Sequence, residues 1–351
     1  SRDVVSRRMT EHIRKGKGVP SPDGEHLWLD LRHLGEEHLR TKLREVYDIC
    51  MYFLGVNPIK EFVPVRPTQH YSMGGIRVNK DGHAYSLKGL WSMGESACWD
   101  MHGMNRLGGN SLAETVVAGM FCGQRMGQWA KQQSLELDTQ MATQAATIQQ
   151  DRINDLLGHG TGEANENVNE LTDIMQITLH DKVGIFRTGE ELEEALDTLK
   201  GLYARSQNLK LQSSFKGANP ELALALRLPG MIKLALCVTK GAMLRTESRG
   251  GHSREDYPER NDKEWLKRTL ARWPEGAKEP EISYEPVGLL ESPPGHRGYG
   301  GATNIPMDQS VEEYNKNVKK EWINQGWQEP ATPLGTELKE MVEYASTKES
   351  K

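Results

Sequence analysis

The chain has 351 residues, and its 44 Lys and Arg against 49 Asp and Glu give a formal charge of -5. That length supports about two or three compact units, each with its own core. A charge so small and so mixed excludes nucleic acid or an anionic membrane as the partner that composition alone would select. Four cysteines, Cys50, Cys98, Cys122 and Cys237, include no Cys-x-x-Cys pair, so neither a disulfide framework nor a zinc site is signalled and a reducing compartment fits best.

The chain opens at Ser1-Arg2-Asp3 without an initiator methionine or a charged-then-apolar leader, which is expected of a truncated N-terminus. Apolar spacing predicts a helix from Asp3 to Lys15, a strand from His26 to Leu31 and a return to helix from Glu36 to Leu54. Residues 63 to 131 change to glycine-rich turns between short strands and end in a helix that starts at Leu112, the pattern of a ligand-holding core. From Leu135 to Arg245 strand signals nearly vanish, and amphipathic stretches including Glu190–Leu202 and Pro220–Met243 read as a helical bundle. Apolar runs such as Leu234 to Val238 are far short of the roughly 20 residues that span a bilayer. Beyond Trp273, prolines 274, 280, 286, 293 and 294 leave one strand candidate, Glu281–Val287, and a charged helix near Val311–Gln325, a tail expected to wrap rather than fold alone. No Gly-x-Gly-x-x-Gly or Walker-type loop occurs, so a nucleotide cofactor is expected to be held only in part.

The densest chemistry lies in three runs, His70-Tyr71-Ser72-Met73-Gly74-Gly75, Gly94-Glu95-Ser96 and His102-Gly103-Met104-Asn105-Arg106-Leu107-Gly108-Gly109-Asn110-Ser111-Leu112. Ser111 and Glu114 have the spacing of a capping box at the head of an apolar helix containing Val116, Val117 and Met120, and Gly108 and Gly109 admit a ligand to that backbone. A helix N-terminus favours negative charge such as that of a reduced flavin. An ordinary glycine turn before a helix accounts for the same residues if they are taken alone. Leu90-Trp91-Ser92-Met93 reads as a buried strand with Glu95 at its carboxyl end, where a carboxylate can accept sugar hydroxyls, although a solvated turn residue is the commoner case. Arg106 can grip a carboxylate bidentately and His70 a second one, so together they suggest a dicarboxylate. A lone histidine is more often structural, and a loop arginine usually faces water. Cys98, His102 and Glu95 lie close in sequence but lack a complete metal-ligand spacing, so no metal is expected.

The runs His70–Ile76 and His102–Leu112 closely resemble signatures of the succinate dehydrogenase and fumarate reductase flavoproteins. The segment Ser1-Arg2-Asp3-Val4-Val5-Ser6 is similar to the family's capping-domain motif, and Arg245-Thr246-Glu247-Ser248-Arg249-Gly250-Gly251-His252 to its Glu-Ser-Arg-Gly-x-His motif. The runs Gly94–Gly103 and Asp181–Arg187 look most like the menaquinol-linked fumarate reductases of anaerobic bacteria. Met104 stands where alanine is usual, Gly109 where alanine or serine is frequent, and Ser1 where proline is common.

The resemblance implies an incomplete FAD-binding α/β domain with part of an α+β capping domain, then a helical bundle and an irregular C-terminal region. The implied boundaries are 1–62 for the capping part, 63–131 for the FAD-binding part, 132–272 for the helical domain and 273–351 for the extended region. It implies that Arg2 donates the proton, that His70, Arg106 and Gly109 bind substrate, and that Tyr71, Glu95, Ser111 and Leu112 contact FAD. Hydride transfer between FAD and fumarate or succinate, an iron-sulfur subunit, a membrane-anchor cytochrome b subunit and a site on the cytoplasmic face of the bacterial inner membrane are also implied. So is a missing N-terminal half, with its Gly-x-Gly-x-x-Gly unit, flavin-linking histidine, second substrate histidine and acidic proton relay, without which the chain is expected to bind FAD poorly and not turn over. The rival expectations are L-aspartate oxidase, which shares the His-Gly-x-Asn-Arg-Leu pattern, and a non-catalytic scaffold that docks an electron-transfer partner.

Overall fold

In a computed structural model, described over residues 2–22, 24–134, 138–158, 165–287, 311–324 and 328, a mixed α/β part precedes a helical bundle. Ser1, Pro293, Pro294 and Gln325 lie outside the described residues. One unit comprises residues 1–265 and 269–283, and a second comprises residues 266–268 and 284 onward.

In the first unit, α1 (Arg2–His12) runs into a wide turn at Ile13–Lys17, where Gly16 takes φ 69. β1 (Leu27–Leu29) pairs antiparallel with β2 (Val63–Val65), Trp28 facing Pro64. Between them the helix expected over 36–54 is broken into α2 (Glu36–Thr41) and α3 (Arg44–Ile49), because Leu43 leaves helical geometry at φ -121, ψ 34. A wide turn at Cys50–Leu54 follows and ends on Gly55 in the left-handed region. β3 (Ile76–Arg77) pairs in parallel with β4 (Ala97–Cys98). The strand expected at 90–93 is absent: Trp91 makes a single bridge to His83, and Gly94 at φ 67 turns the chain at once into the 94–96 turn. α4 (Asn110–Lys131) closes this part.

The bundle consists of α5 (Thr139–Gly158), α6 (Val168–Lys182), α7 (Gly189–Arg205) and α8 (Pro220–Leu244). Its helix starts carry their own signals. Asn167 and Asn219 accept backbone N–H groups as N-caps, and Thr188 with Glu191 forms a reciprocal capping box. Leu171, Leu199, Leu202, Leu228, Ile232 and Leu236 interlock in the core, each at most 2 % exposed. Burying side chains of this size contributes about 1.5–3 kcal/mol each. Among the described helices α8 is the one long and apolar enough to cross a membrane by length and composition, and its apolar core residues face α6 and α7.

The chain after α8 knots the bundle ends together with buried charge. Glu247, wholly buried, accepts from Arg245 Nη1 at 2.6 Å, from Arg249 Nε and Nη2 at 2.8 and 2.9 Å, and from the Asn261 backbone at 2.9 Å. Arg254 donates to the free carbonyls of Ala242 and Met243 at the end of α8, and its partner Asp256 accepts from Gly189 N–H at the start of α7. Each helix end thereby receives the charge that its dipole favours. Arg187 Nη1 donates to His252 Nδ1 at 2.8 Å, which leaves the His252 Nε2–H to donate to the Arg245 carbonyl at 3.3 Å. Burial, then the Arg187 charge, pulls the His252 imidazole down to about 3, so it stays neutral.

α9 (Asp262–Trp265) follows, then β5 (Lys267–Arg272), which the sequence reading missed, beside β6 (Glu281–Pro286), which it placed. In the second unit Arg268 pairs with Glu285 at 2.8 Å, Lys267 lies over the Tyr284 ring, and α10 (Val311–Asn324) occupies the expected charged helix.

Leu199→Ala is expected to lower unfolding free energy by roughly 2–5 kcal/mol, as read by urea denaturation. Because the folded-state pKa of His252 lies below its unfolded value of 6.5, its contribution is complete above pH 6.5 and is lost as pH falls towards about 3. His252→Gln, which keeps an acceptor for Arg187 and a donor for the Arg245 carbonyl, is expected to flatten the stability loss between pH 6.5 and 4.5; an unchanged slope would place that loss elsewhere.

Candidate active site

Three segments distant in sequence meet at the 102–112 turn. Gly251 N–H donates to the Met104 carbonyl at 2.7 Å. Gly250, at φ 57, passes so close that an added Cβ would sit 2.9 Å from the Met104 Cβ and carbonyl oxygen. Here glycine is required both by the left-handed backbone and by the approach. The third segment is α1. Asp3, 9 % exposed, accepts from Asn105 Nδ2 and from Arg7 Nη2, each at 3.0 Å, and Arg7 Nη1 donates to the Gly250 carbonyl at 3.1 Å. Arg14, one helical stretch further on, pairs with Glu255 at 3.0 Å and lies over the Phe186 ring.

These contacts place Arg2, the exposed first residue of α1, next in sequence to the residue that bonds Asn105, itself the neighbour of Arg106. Arg106 is 9 % exposed, and its guanidinium carbon lies 4.5 Å from the centre of the Tyr71 ring. Its Nη1 donates to the Leu107 carbonyl at 3.0 Å, while its Nε is buried with no hydrogen-bond partner. The side-on edge formed by Nε and Nη2 is therefore unengaged among the described residues. That edge is the one that grips a carboxylate with two parallel hydrogen bonds.

Tyr71 is buried, and its hydroxyl donates to Glu114 at 3.1 Å. Burial, then the Glu114 charge, pushes the phenol pKa up, so the hydroxyl remains a donor. His102 Nε2 lies 2.7 Å from the same Glu114 oxygen. The Ser72 N–H donates to the exposed Glu95 at 2.9 Å, and Gly75 packs so tightly on the Ser96 carbonyl that a Cβ there would collide with it. His70 is exposed beside Tyr71 and has no recorded side-chain partner among the described residues.

The expected capping box is not formed. Gly109, in the left-handed region at φ 81, is the residue before α4; no side chain caps the helix, and Glu114 points inward to Tyr71 and His102 instead. The physical reason is register: Glu114, Ala118 and Cys122, four apart, form the buried stripe of α4. The opposite apolar residues Leu112, Val116, Val117 and Met120 are 58–75 % exposed. Sequence reasoning assigned no role to Asp3 or Arg7 and weighed His102 only as a member of an incomplete metal site. The spacing of Asp3 and Arg7 is a readable helical ion pair, and the four-residue stripe with Ala118 and Cys122 would have marked Glu114 as inward-facing.

A flavin fits the residues present. Gly74, Gly103, Gly108 and Gly109 have open space where a Cβ would stand, the α4 N-terminus lacks a side-chain cap, and Ser111 and Leu112 open that helix with Leu112 75 % exposed. Uncapped backbone N–H groups at a helix start suit the negative charge of a reduced isoalloxazine.

Residues 1–112 match a family model for an FAD binding domain, and residues 172–299 match one for the fumarate reductase flavoprotein C-terminus. The chain is 44 % identical over 350 residues to the fumarate reductase flavoprotein subunit of Helicobacter pylori, covering 91 % of this chain and 48 % of that protein. With its Escherichia coli counterpart it is 36 % identical over 321 residues, covering 91 % and 52 %. Among solved structures, a point variant of E. coli quinol fumarate reductase FrdA superposes with a TM-score of 0.77 at 35 % identity, covering 86 % of this chain and 51 % of that one. A quinol-fumarate reductase with menaquinol molecules superposes with a TM-score of 0.75 at 34 % identity, covering 83 % and 50 %. The chain thus spans about half the length of the curated relatives it matches.

Gly250→Ala is expected to lower the urea midpoint clearly more than Gly276→Ala, since both backbones are left-handed but only the Cβ at 250 meets another segment. Equal losses at the two positions would mean that the Met104 crossing adds nothing.

Proposed function

Since the chain belongs to the flavoprotein-subunit family of fumarate reductases and succinate dehydrogenases, we propose that it carries the substrate-facing residues of an FAD-dependent fumarate reductase. The observation that supports this most directly is the buried, unengaged side-on edge of Arg106, built to take one carboxylate of a small diacid. On this reading residues 1–62 belong to a capping domain, 63–131 to the FAD-binding domain, 132–272 to the helical domain and 273–351 to an extended C-terminal region.

Bound FAD would supply the hydride, delivered from N5 to one alkene carbon of fumarate. Tyr71, Glu95, Ser111 and Leu112 would hold it. Arg106 takes one carboxylate bidentately, with Gly109 leaving its backbone open beside it, and His70 takes the other. The two anchors fix the alkene and polarise it, so that one carbon accepts hydride as the other accepts a proton. Arg2 delivers that proton from its guanidinium, giving succinate. A guanidinium in water holds its proton to above about pH 12, so the step needs a site closed to solvent and a relay that returns the proton. Of the ties of α1, Asp3 bonds Asn105 of the 102–112 turn, and Arg7 and Arg14 bond Gly250 and Glu255 of the segment that crosses it, contacts that would help bring the capping helix over that turn. The same site run backwards oxidises succinate.

The quinol-linked neighbours support partner subunits and a membrane-associated assembly; the sequence resemblance implies that these partners are an iron-sulfur subunit and a cytochrome b membrane anchor on the cytoplasmic face of the bacterial inner membrane, in anaerobic respiration.

In the full-length flavoprotein with FAD, reduced viologen should be oxidised by fumarate. Arg2→Gln should lower kcat by about 10²–10⁴-fold with little change in KM. Oxidation of L-aspartate without fumarate reduction would move the chain to the amino-dicarboxylate oxidases, and inactivity towards both substrates would leave only a docking role.

A further inference from the structure

Resting on the reading of Arg106 as the carboxylate anchor, we propose that Glu114 is a positioning residue for substrate binding, holding Arg106 in its gripping orientation through the Tyr71 ring. The side chains form one chain of contacts. Glu114 is 5 % exposed and fixed on the buried stripe of α4 by Ala118 and Cys122. Its Oε2 accepts the Tyr71 hydroxyl at 3.1 Å and faces His102 Nε2 at 2.7 Å. The Tyr71 ring stands edge-on to His102 with centroids 5.7 Å apart, and the Arg106 guanidinium lies over its face at 4.5 Å.

Among the described residues Arg106 has one hydrogen bond, from Nη1 to the Leu107 carbonyl. A single hydrogen bond leaves a guanidinium free to rotate about it. The ring face removes that freedom, and it does so without consuming the Nε and Nη2 donors that a carboxylate needs. A carboxylate partner to Arg106 would have fixed it equally well but would have occupied the binding edge. Placing the negative charge one ring away resolves that conflict: Glu114 orients Tyr71, and Tyr71 orients Arg106. His102 accounts for the tightness of the arrangement, since its bond to the shared Oε2 keeps the carboxylate from turning away from the phenol.

The test uses the full-length FAD-loaded flavoprotein, with fumarate as substrate and malonate as a non-reacting dicarboxylate. Glu114→Gln is expected to raise the fumarate KM and the malonate Kd by about tenfold while kcat changes less than about threefold, and Tyr71→Phe, at a residue that also faces the flavin, to raise the malonate Kd of the FAD-loaded protein by about as much. The double variant should be little worse than either single one, because both cut the same chain. Tyr71→Phe keeps the ring and removes only the hydroxyl, so it reads the proposal even where Glu114→Gln fails to fold. Loss of thermal stability with unchanged KM and Kd would overturn the positioning role, as would additive effects in the double variant. A parent protein that binds neither fumarate nor malonate would overturn the reading of Arg106 itself and the inference with it.

Discussion

The backbone crossing at Met104 is the constraint on which the candidate site depends. One hydrogen bond from Gly251, and two consecutive glycines that let the chains touch, bring the 102–112 turn against the segment that follows the bundle. Arg7 reaches the same Gly250 carbonyl from α1, so a single point of contact joins three stretches of chain. Any side chain at 250 or 251 would push the turn away and move Arg106 with it. The unusual Met104 is tolerated because its partners carry no Cβ: its own Cβ and carbonyl lie where a side chain at 250 would stand.

That crossing is rigid only if the 245–262 segment is rigid, and buried charge provides this. Removing a carboxylate from water costs on the order of several kcal/mol unless its lone pairs are filled, and Glu247 has three guanidinium hydrogen bonds and one backbone N–H to fill them. Such a network contributes little net stability compared with an apolar core of equal volume, but breaking any of its pairs leaves a buried charge unpaired, which disfavours other arrangements of the loop. Arg254 and Asp256 then tie that arrangement to the ends of α8 and α7. The helical bundle thus anchors the segment against which the 102–112 turn is held.

Around the turn, the carboxylates bond groups other than Arg106. Asp3 neutralises Arg7 and holds Asn105, Glu114 is satisfied by a phenol and an imidazole, and Glu95 holds the Ser72 backbone. No carboxylate is hydrogen-bonded to Arg106 among the described residues. An arginine so buried retains a strong demand for an anion, since its Nε has lost water without gaining a partner. The exposed apolar face of α4, from Leu112 to Met120, and the open glycines at 103, 108 and 109 lie in the same stretch of chain, consistent with a site bounded on that side by a large planar ligand or by more protein.

The sequence by itself determined the order of a mixed α/β part followed by a helical bundle, because periodicity and capping are local: Thr188 with Glu191, Asn219 with Pro220, and the apolar spacing of α7 and α8 can be read within a few residues. It also carried the family resemblance, in runs such as 70–76 and 102–112. What it misassigned were residues whose local pattern has a commoner use. Glu114 has capping-box spacing but turns inward, since α4 begins after a left-handed Gly109 and its buried stripe starts at 114. Leu90–Met93 is apolar enough for a strand but finds only the bridge from His83 to Trp91. Tertiary structure alone decided that Asp3 meets Asn105, 102 positions away, and that Arg7 meets Gly250, 243 positions away. Contacts of that range leave no periodic trace, because they depend on how separately formed elements pack and on which polar groups lose water together.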